Sequence, residues 1–422
     1  MKRIDHIKLL IKRDFAKNVI LLISGTSIAQ AITIAISPVL TRIYSPSDFG
    51  VYGIYLGICS ILAVFSTARY DLSIIEPKYD NDAKLLVLIS VIISGLFSIF
   101  LLLIALLFNH QIAILLHTPE IGKFLYIIPL SVFVLSTYNV IMIWLNRKKQ
   151  YKSMSQNRII NSSSTSAISL GMGLIRFTTG GLIIGYLSGQ IIAIISVVKK
   201  IFSEKFLFNR MRAFVLMRKY SRYPKFLIPS TLAGEISTNG VTILFTTFFN
   251  STVAGFFTFT NRVTALPISL IGNAIGEVYR QKAAEEYHQF GNCKTLFLKT
   301  LFKLFIIGLL PFLTLFLFGE PLFKFVFGDQ WIIAGKIAKY FSFIVFFQFL
   351  STPLSYTIVF NNSQKLDLIL QLLRGIFSIV AIFLGYRLSN YMVSIILYTI
   401  VFSLYYISHS FIQYRAAQGL VN

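Results

Sequence analysis

Arg262 stands in the middle of an apolar run, FTFTNRVTALPISLIGNAIGEVY. A lone arginine at the centre of a bilayer costs about 3 kcal/mol on insertion scales. It is tolerated where it faces a wet cavity or an anion, or where it snorkels or pairs with an acid of a neighbouring helix. Thr260, Asn261 and Thr264 surround it, and Pro267 can break the hydrogen-bond ladder of its helix. The chemistry such a residue offers is anion binding, because a guanidinium grips phosphate oxygens through more than one hydrogen bond. Arg374, in LILQLLRGIFSIV with Gln371 one turn earlier, poses the same choice nearer the cytoplasmic end of its helix. Glu235 and Asn239, one turn apart in STLAGEISTNG, share a helix face. That carboxylate is either a proton or sodium site or the charge partner of Arg262, pairing being the commoner arrangement.

A polar stripe adds to this set. Gln30, Thr33 and Ser37 fall at i, i+3 and i+7 of the first apolar stretch. Such a stripe means helix packing, the more frequent cause, or a water-filled path. The expected substrate-binding residues are Arg262, Arg374, Gln30 and Asn239. The expected gate or coupling residues are Glu235, Arg69, Asp71, Arg42 and Glu277. Arg69 and Asp71 end one span, and Glu277 and Arg280 another, where either set gates a cavity mouth or forms an ordinary interfacial ion pair.

Catalytic constellations are absent. The sequence has no HExxH, no GxSxG and no Walker-type phosphate loop. His6, His110, His117, His288 and His409 are scattered near loops or ends, and the acids form no diad. No catalytic residue, metal ligand or cofactor is expected, and transport is favoured over catalysis. Cys59 and Cys293 fall in a span and a loop, so neither a disulfide nor a metal site is expected.

The elements that must position these residues are membrane helices. Charged residues make up 13% of the 422-residue chain, against roughly 25% in soluble domains, and the mean hydropathy is +0.73. A span needs roughly 20 apolar residues. Spans are expected near 19–40, 50–68, 85–108, 122–145, 157–175 and 181–198, then 226–249, 254–277, 297–318, 335–359, 366–386 and 390–412. The fifth is the weakest, because Asn161 to Ser166 is polar. The predicted cytoplasmic segments hold 30 of the 39 Lys and Arg and the external turns seven, which sets an even number of spans with both termini cytoplasmic. The net charge of +23 therefore reflects membrane orientation, and nucleic acid is not an expected partner.

The strongest break in the pattern is KKIFSEKFLFNRMRAFVLMRKYSRYPK at 199–225, with nine Lys or Arg and one acid, Glu204. It divides the chain into an N-terminal six-helix bundle with a basic leader (1–198), a basic cytoplasmic linker beside anionic lipid headgroups (199–225) and a C-terminal six-helix bundle (226–422). Such a linker leaves the halves free to move. The leader, MKRIDHIKLLIKRDFAK, reads as a surface helix or a basic tail before a retained first span. The halves echo each other at an offset of 205 residues, Ser47-Asp48-Phe49-Gly50-Val51-Tyr52 against Thr252-Val253-Ala254-Gly255-Phe256-Phe257. A parallel repeat follows, with its pseudo-axis along the membrane normal. No external loop has room for a folded periplasmic domain.

Four stretches carry a family resemblance. PVLTRIYSPSDFGVYGIY (38–55), ARYDLSIIEP (68–77), GGLIIGYLSGQIIA (180–193) and TNRVTALPISLIGNAIGEVYRQKA (260–283) resemble Wzx-type polysaccharide flippases of the multidrug/oligosaccharidyl-lipid/polysaccharide (MOP) exporter superfamily. Glu277 departs from the pattern, standing where the family often has an uncharged polar residue. The resemblance implies an all-α integral membrane protein of twelve transmembrane helices, in two six-helix bundles around a central cavity. It implies a lipid-linked oligosaccharide cargo on undecaprenyl pyrophosphate, moved from the cytoplasmic to the periplasmic leaflet of a bacterial inner membrane. Membrane lipids, a polysaccharide polymerase and a chain-length regulator are the implied partners. Two other readings compete. A cation-coupled multidrug exporter of the same superfamily would need acidic cavity residues, and this chain has more intramembrane arginine than acid. The third reading is an enzyme, a polysaccharide polymerase, which usually needs a large periplasmic loop, or a membrane glycosyltransferase, which can hide single acids in loops.

Overall fold

The computed structural model describes residues 2–116, 118–202, 209–360 and 364–419, with side chains from residue 21 on except 22, 23, 199–202, 288, 359, 360, 364, 365 and 368. His117 and residues 203–208 of the basic linker lie outside the described residues, as do the side chains of the leader, His6, His288 and Lys365. All regular structure among the described residues is helical. The first half holds α1 (Lys2–Ile43), α2 (Pro46–Ser66), α3 (Asp80–Leu115), α4 (Ile128–Arg147), α5 (Tyr151–Leu174) and α6 (Thr178–Phe202). The linker carries α7 (Arg210–Lys219). The second half holds α8 (Ile228–Thr238), α9 (Gly240–Phe248), α10 (Ser251–Thr264), α11 (Asn273–Phe290), α12 (Lys294–Phe327), α13 (Ile332–Ser351), α14 (Gln364–Arg387) and α15 (Tyr391–Ala417).

Among the described residues nine helices are long and apolar enough to cross a membrane: the part of α1 from Ser24, then α2, α3, α4, α6, α12, α13 with its flanking turns, and the apolar parts of α14 and α15. The chain is a multi-pass membrane protein. Leu96, Phe100, Leu103, Leu106 and Leu107 of α3 are exposed, as a lipid-facing side requires. The other three expected spans are helical but do not meet that test, each for a visible reason. α5 is too polar. The seventh is split into α8 and α9 behind a π-helical turn at Tyr223–Leu227 that contains Pro224. The eighth is split into α10 and α11 by a π-helical turn at Ile268–Gly272 that Pro267 precedes. Proline has no N–H to give the ladder, so the backbone re-registers there. α1 runs unbroken from Lys2 to Ile43, which makes the leader and the first span one helix.

In the first half α1 packs on α5, α5 on α6, and α2 on α4 and α6. In the second, α12 packs on α13, α14 on α15, and α8 on α14. The halves meet where α2 lies along α8, α9 and α10. Opposite the linker the two halves are sealed. Ser45 caps α2 with a capping box closed by Asp48, and Asn250 caps α10 through Val253 N. Ser47 Oγ and Ser251 Oγ hydrogen-bond at 2.8 Å across the junction. Trp331 Nε1 donates to Thr41 O at 3.0 Å, and its ring packs edge-on against Phe49 at 5.2 Å and beside Phe259 at 4.3 Å.

The linker is not free along its length. α7 is held on the N-terminal half, where Arg212 grips Asp82 with Nε at 2.9 Å and Nη2 at 2.8 Å, and Tyr70 Oη donates to Met217 O at 3.1 Å. Ala213, Leu216 and Tyr220 are buried beneath it. Arg222 Nη2 reaches Glu76 at 2.5 Å, and the Tyr223 hydroxyl donates to the same carboxylate. These contacts reach as far as Tyr223, where the π-helical turn begins that leads into α8.

Candidate functional site

A polar cavity of about 330 Å3 lies between the halves, lined by residues of α1, α4, α5, α6 and α10. The first half supplies most of the wall. Ser162 of α5 donates to Ala29 O at 2.6 Å and shares a 2.7 Å hydrogen bond with Thr33 of α1. That bond gives the polar run Asn161 to Ser166 its place in the fold: it packs against α1 and faces the cavity with Asn161, Ser162, Thr165 and Ser166. Small residues let α6 come close here, since a Cβ on Gly189 would fall 2.0 Å from Thr165 Oγ1. Gln30, Thr33, Tyr138 and Tyr186 complete the polar lining.

Two guanidiniums share this space. Arg262 enters from α10 of the second half and Arg158 from α5 of the first. Arg158 Nη1 donates to Thr26 Oγ1, which orients it. Among the described residues the cavity lining contains no Asp or Glu. Among the described residues neither arginine forms an ion pair. The expected pairing of Arg262 with Glu235 is therefore not formed. Glu235 instead accepts from Asn239 Nδ2 at 2.6 Å. Two cations with spare donors in a cavity without acids are suited to an anion.

A second, smaller cavity of about 170 Å3 gathers three of the residues expected to gate or couple: Arg69, Asp71 and Glu235. Thr67 and Asn139 also line it. Asp71 is buried and accepts from Thr67 Oγ1 at 2.7 Å. Ala68 and Arg69 have φ of +48° and +60°, a left-handed turn that is uncommon for residues with a Cβ. That turn aims Arg69 into the cavity, where its Nε is buried without a hydrogen bond. Glu235 comes from the second half, so this cavity also spans the junction.

The remaining expected residues lie elsewhere. Arg374 does not line the central cavity. It is buried in the second half with its guanidinium 4.5 Å from the Tyr405 ring centroid and 5.0 Å from that of Phe402. Aromatic faces accommodate its charge there, so it needs no water-filled path. Asn239 serves Glu235 and is absent from the central lining. Arg42 is exposed at the sealed end, where Nη1 reaches Pro38 O at 3.5 Å. Glu277 pairs with Arg280 at 2.5 Å on an exposed face of α11, the ordinary ion pair. Arg158, inside the expected span 157–175, is a cavity residue that is absent from the expected site residues. Its signal was there: Asn161, Ser162 and Thr165 follow it at i+3, i+4 and i+7, one polar helical stripe.

Residues 39–335 match the family described as "Polysaccharide biosynthesis protein". No curated protein sequence matches the chain. Among solved structures the chain is similar to a lipid II flippase MurJ in an inward closed conformation, at 15% identity and TM-score 0.72, over 93% of this chain and 87% of that one. It is similar to an inward-facing multidrug resistance MATE family transporter of the MOP superfamily, at 14% identity and TM-score 0.64, over 93% and 96%. A MOP superfamily transporter from Pyrococcus furiosus matches at 12% identity and TM-score 0.63, over 94% of both chains. At these identities the likeness is one of fold, and the fold is that of MOP transporters.

Proposed function

The chain belongs to this polysaccharide biosynthesis protein family, and from that premise we propose that it is a flippase for undecaprenyl-pyrophosphate-linked oligosaccharide repeat units, of the Wzx type, serving O-antigen, capsule or a related polysaccharide. In this reading all twelve expected helices span a bacterial inner membrane, with both termini cytoplasmic. Bundles 1–198 and 226–422, joined by 199–225, rock about the junction to move the cargo outward. A polymerase and a chain-length regulator would take the unit on the far side. The protein itself makes and breaks no covalent bond.

One observation carries the proposal: Arg158 and Arg262 reach one acid-free polar cavity from opposite halves. A pyrophosphate is a multivalent anion whose transfer into hydrocarbon is prohibitive unless its charge is met. Charge-assisted hydrogen bonds from two guanidiniums meet it, each worth about 1.5–3 kcal/mol. The Asn, Ser, Thr and Tyr side chains of the first half are suited to sugar hydroxyls. A ligand held from both halves also favours one relation of the halves over another, which is what alternating access requires. The cation-coupled multidrug exporter, the alternative within the superfamily, fits this cavity poorly, since a cationic drug would meet two arginines and no carboxylate.

The test is Arg262→Ala and Arg158→Ala in a host whose surface polysaccharide depends on this chain. Polymer should be lost and a lipid-linked intermediate should accumulate, with the protein still in the membrane. Normal polymer in both variants would remove the proposed site. Uptake and release of a cationic drug unchanged by either variant would restore the exporter reading.

A further inference from the structure

Three buried polar atoms without hydrogen-bond partners lie on the last two helices, Asp367 Oδ1 and Arg374 Nε on α14 and Gln413 Oε1 on α15. His409 of α15 lies among them, 7% exposed. Its Nδ1 is 2.7 Å from Ser351 Oγ and 2.8 Å from Gln413 Nε2. An amide nitrogen only donates, so Nδ1 accepts and the ring proton sits on Nε2. Nε2 in turn is 3.1 Å from Asp367 Oδ1, close but not aligned as a hydrogen bond. Asp367 Oδ2 accepts from Gln371 Nε2 at 2.9 Å. A carboxylate, an imidazole and a hydroxyl are thus in series inside the second half, apart from either cavity of the junction.

We propose that Asp367 and His409 form a proton-binding site, and that its loading drives the movement of the halves. The first clause stands without the flippase reading; the second rests on it. The step is simple to balance. A hydronium at the linker side gives one proton to neutral His409, which takes it on Nδ1, and leaves as water. The pair passes from carboxylate–imidazole to carboxylate–imidazolium, and its net charge from −1 to 0. The new N–H needs an acceptor, which Ser351 Oγ supplies by turning its own proton away. Gln413 stays turned as it is, because its Nε2 also donates to Ser351 O at 3.0 Å, and only its bond to Nδ1 is given up. Asp367 is 25% exposed at its side chain, which gives the site a way to water.

Among the described residues the charged or titratable groups facing the pair are few. From α14 come Asp367 itself and Arg374, and from α15 Tyr405 and Tyr406. α13 offers the neutral Ser351, and α8 the neutral Ser237 against Gly375. The Tyr405 ring stacks on His409 at 5.5 Å and also carries the Arg374 guanidinium. Asp367 and Arg374, of opposite charge, thus both bear on His409, one directly and one through the Tyr405 ring. From there the rings of Tyr406, Phe402 and Tyr398 run up α15 to Phe257 of α10, two residues from Gly255 at the seal.

The site is tested by imidazole nitrogen NMR on the full-length protein in lipid nanodiscs, titrated from pH 4.5 to 9. The His409 signal is the one lost in His409→Gln. It should titrate in this range. Its midpoint should fall by a pH unit or more in Asp367→Asn, a tenfold loss of proton affinity, and rise in Arg374→Gln. Opposite signs from two variants separate the site from misfolding, which would move both towards a free histidine. No titration, or a midpoint indifferent to Asp367→Asn, overturns the site. With the site intact, cargo movement unchanged in Asp367→Asn and His409→Gln overturns only the coupling. Normal polymer in Arg262→Ala and Arg158→Ala overturns the flippase reading and leaves the proton site standing.

Discussion

Gly50 of α2 and Gly255 of α10, separated by 205 residues, each press against the first residue of the other's helix. A Cβ on Gly50 would lie 1.8 Å from Ser251 O, and one on Gly255 would lie 1.7 Å from Pro46 O. The contact is reciprocal, as a two-fold relation between repeats requires. The caps Ser45 and Asn250 stand at the same offset.

Because both obstructing atoms are backbone, neither can swing aside. Gly50→Ala or Gly255→Ala should destabilise the sealed arrangement by about 1–3 kcal/mol, the usual cost of overpacking. A shift of that size changes the sealed-to-open ratio by roughly 5- to 150-fold. Spin-label distances between Ser47 and Ser251 positions would show it as a longer population. Unchanged distances in both variants would mean that the seal has no part in the cycle.

The anion site makes a sharper demand. Arg262→Lys keeps the charge but loses the fork, so cargo affinity should fall about ten-fold, and Arg262→Ala should cost more. If both arginines hold one pyrophosphate, the Arg158→Ala, Arg262→Ala double variant should lose less than the two single losses added together. Binding of a short polyprenyl pyrophosphate to the purified protein measures this. Strict additivity would place the two guanidiniums on separate ligands.

Much of this was legible from residue order. Apolar runs located helices at every expected span, and the Asp48 and Gly255 stretches, legible as an internal echo, turn out to meet at the junction. What stayed hidden was pairing between distant segments. Glu235 and Arg262 looked complementary in sequence, yet α8 turns Glu235 towards Arg69 and Asp71. Arg374 looked like a cavity residue because nothing in LILQLLRGIFSIV shows that α15 brings Phe402 and Tyr405 to its guanidinium. Arg158 stands at the very start of the expected span 157–175, and charge counting has no way to tell a helix's wet face from its end. His409 was passed over for the same reason: Ser351 and Asp367 reach it from other helices.

The linker helix should come loose when its acid is removed. Asp82 stands on the first turn of α3, ahead of the apolar stretch 85–108, and the hydrogen bonds from Arg212 hold its carboxyl below the usual range. A depressed value means that the attachment is present above the ordinary carboxylate pKa, about 3.9, and is lost only as pH falls through the lower one. Hydrogen exchange in α7 should therefore be flat from pH 8 to 5 after correction for intrinsic rates. Asp82→Asn should raise it across that whole range. Equal protection in the variant would show that the buried Ala213, Leu216 and Tyr220 hold the helix by themselves.

The cavity of Arg69, Asp71 and Glu235 should affect the cycle and spare the cargo site. It spans the junction, yet shares no lining residue with the cavity of Arg158 and Arg262. Glu235→Gln keeps the shape and the hydrogen bond with Asn239 but removes a charge that faces Arg69 across the halves. A change that weakens only the relation between halves alters how fast they exchange and leaves ground-state binding alone. Glu235→Gln should thus slow turnover of lipid-linked cargo about ten-fold while the affinity for polyprenyl pyrophosphate stays within about two-fold of the parent. Arg69→Gly, which relieves the left-handed turn and removes the charge together, should show the same split. Should either variant instead lose affinity as Arg262→Ala does, the two cavities would have to be one continuous site that the cargo fills at both ends.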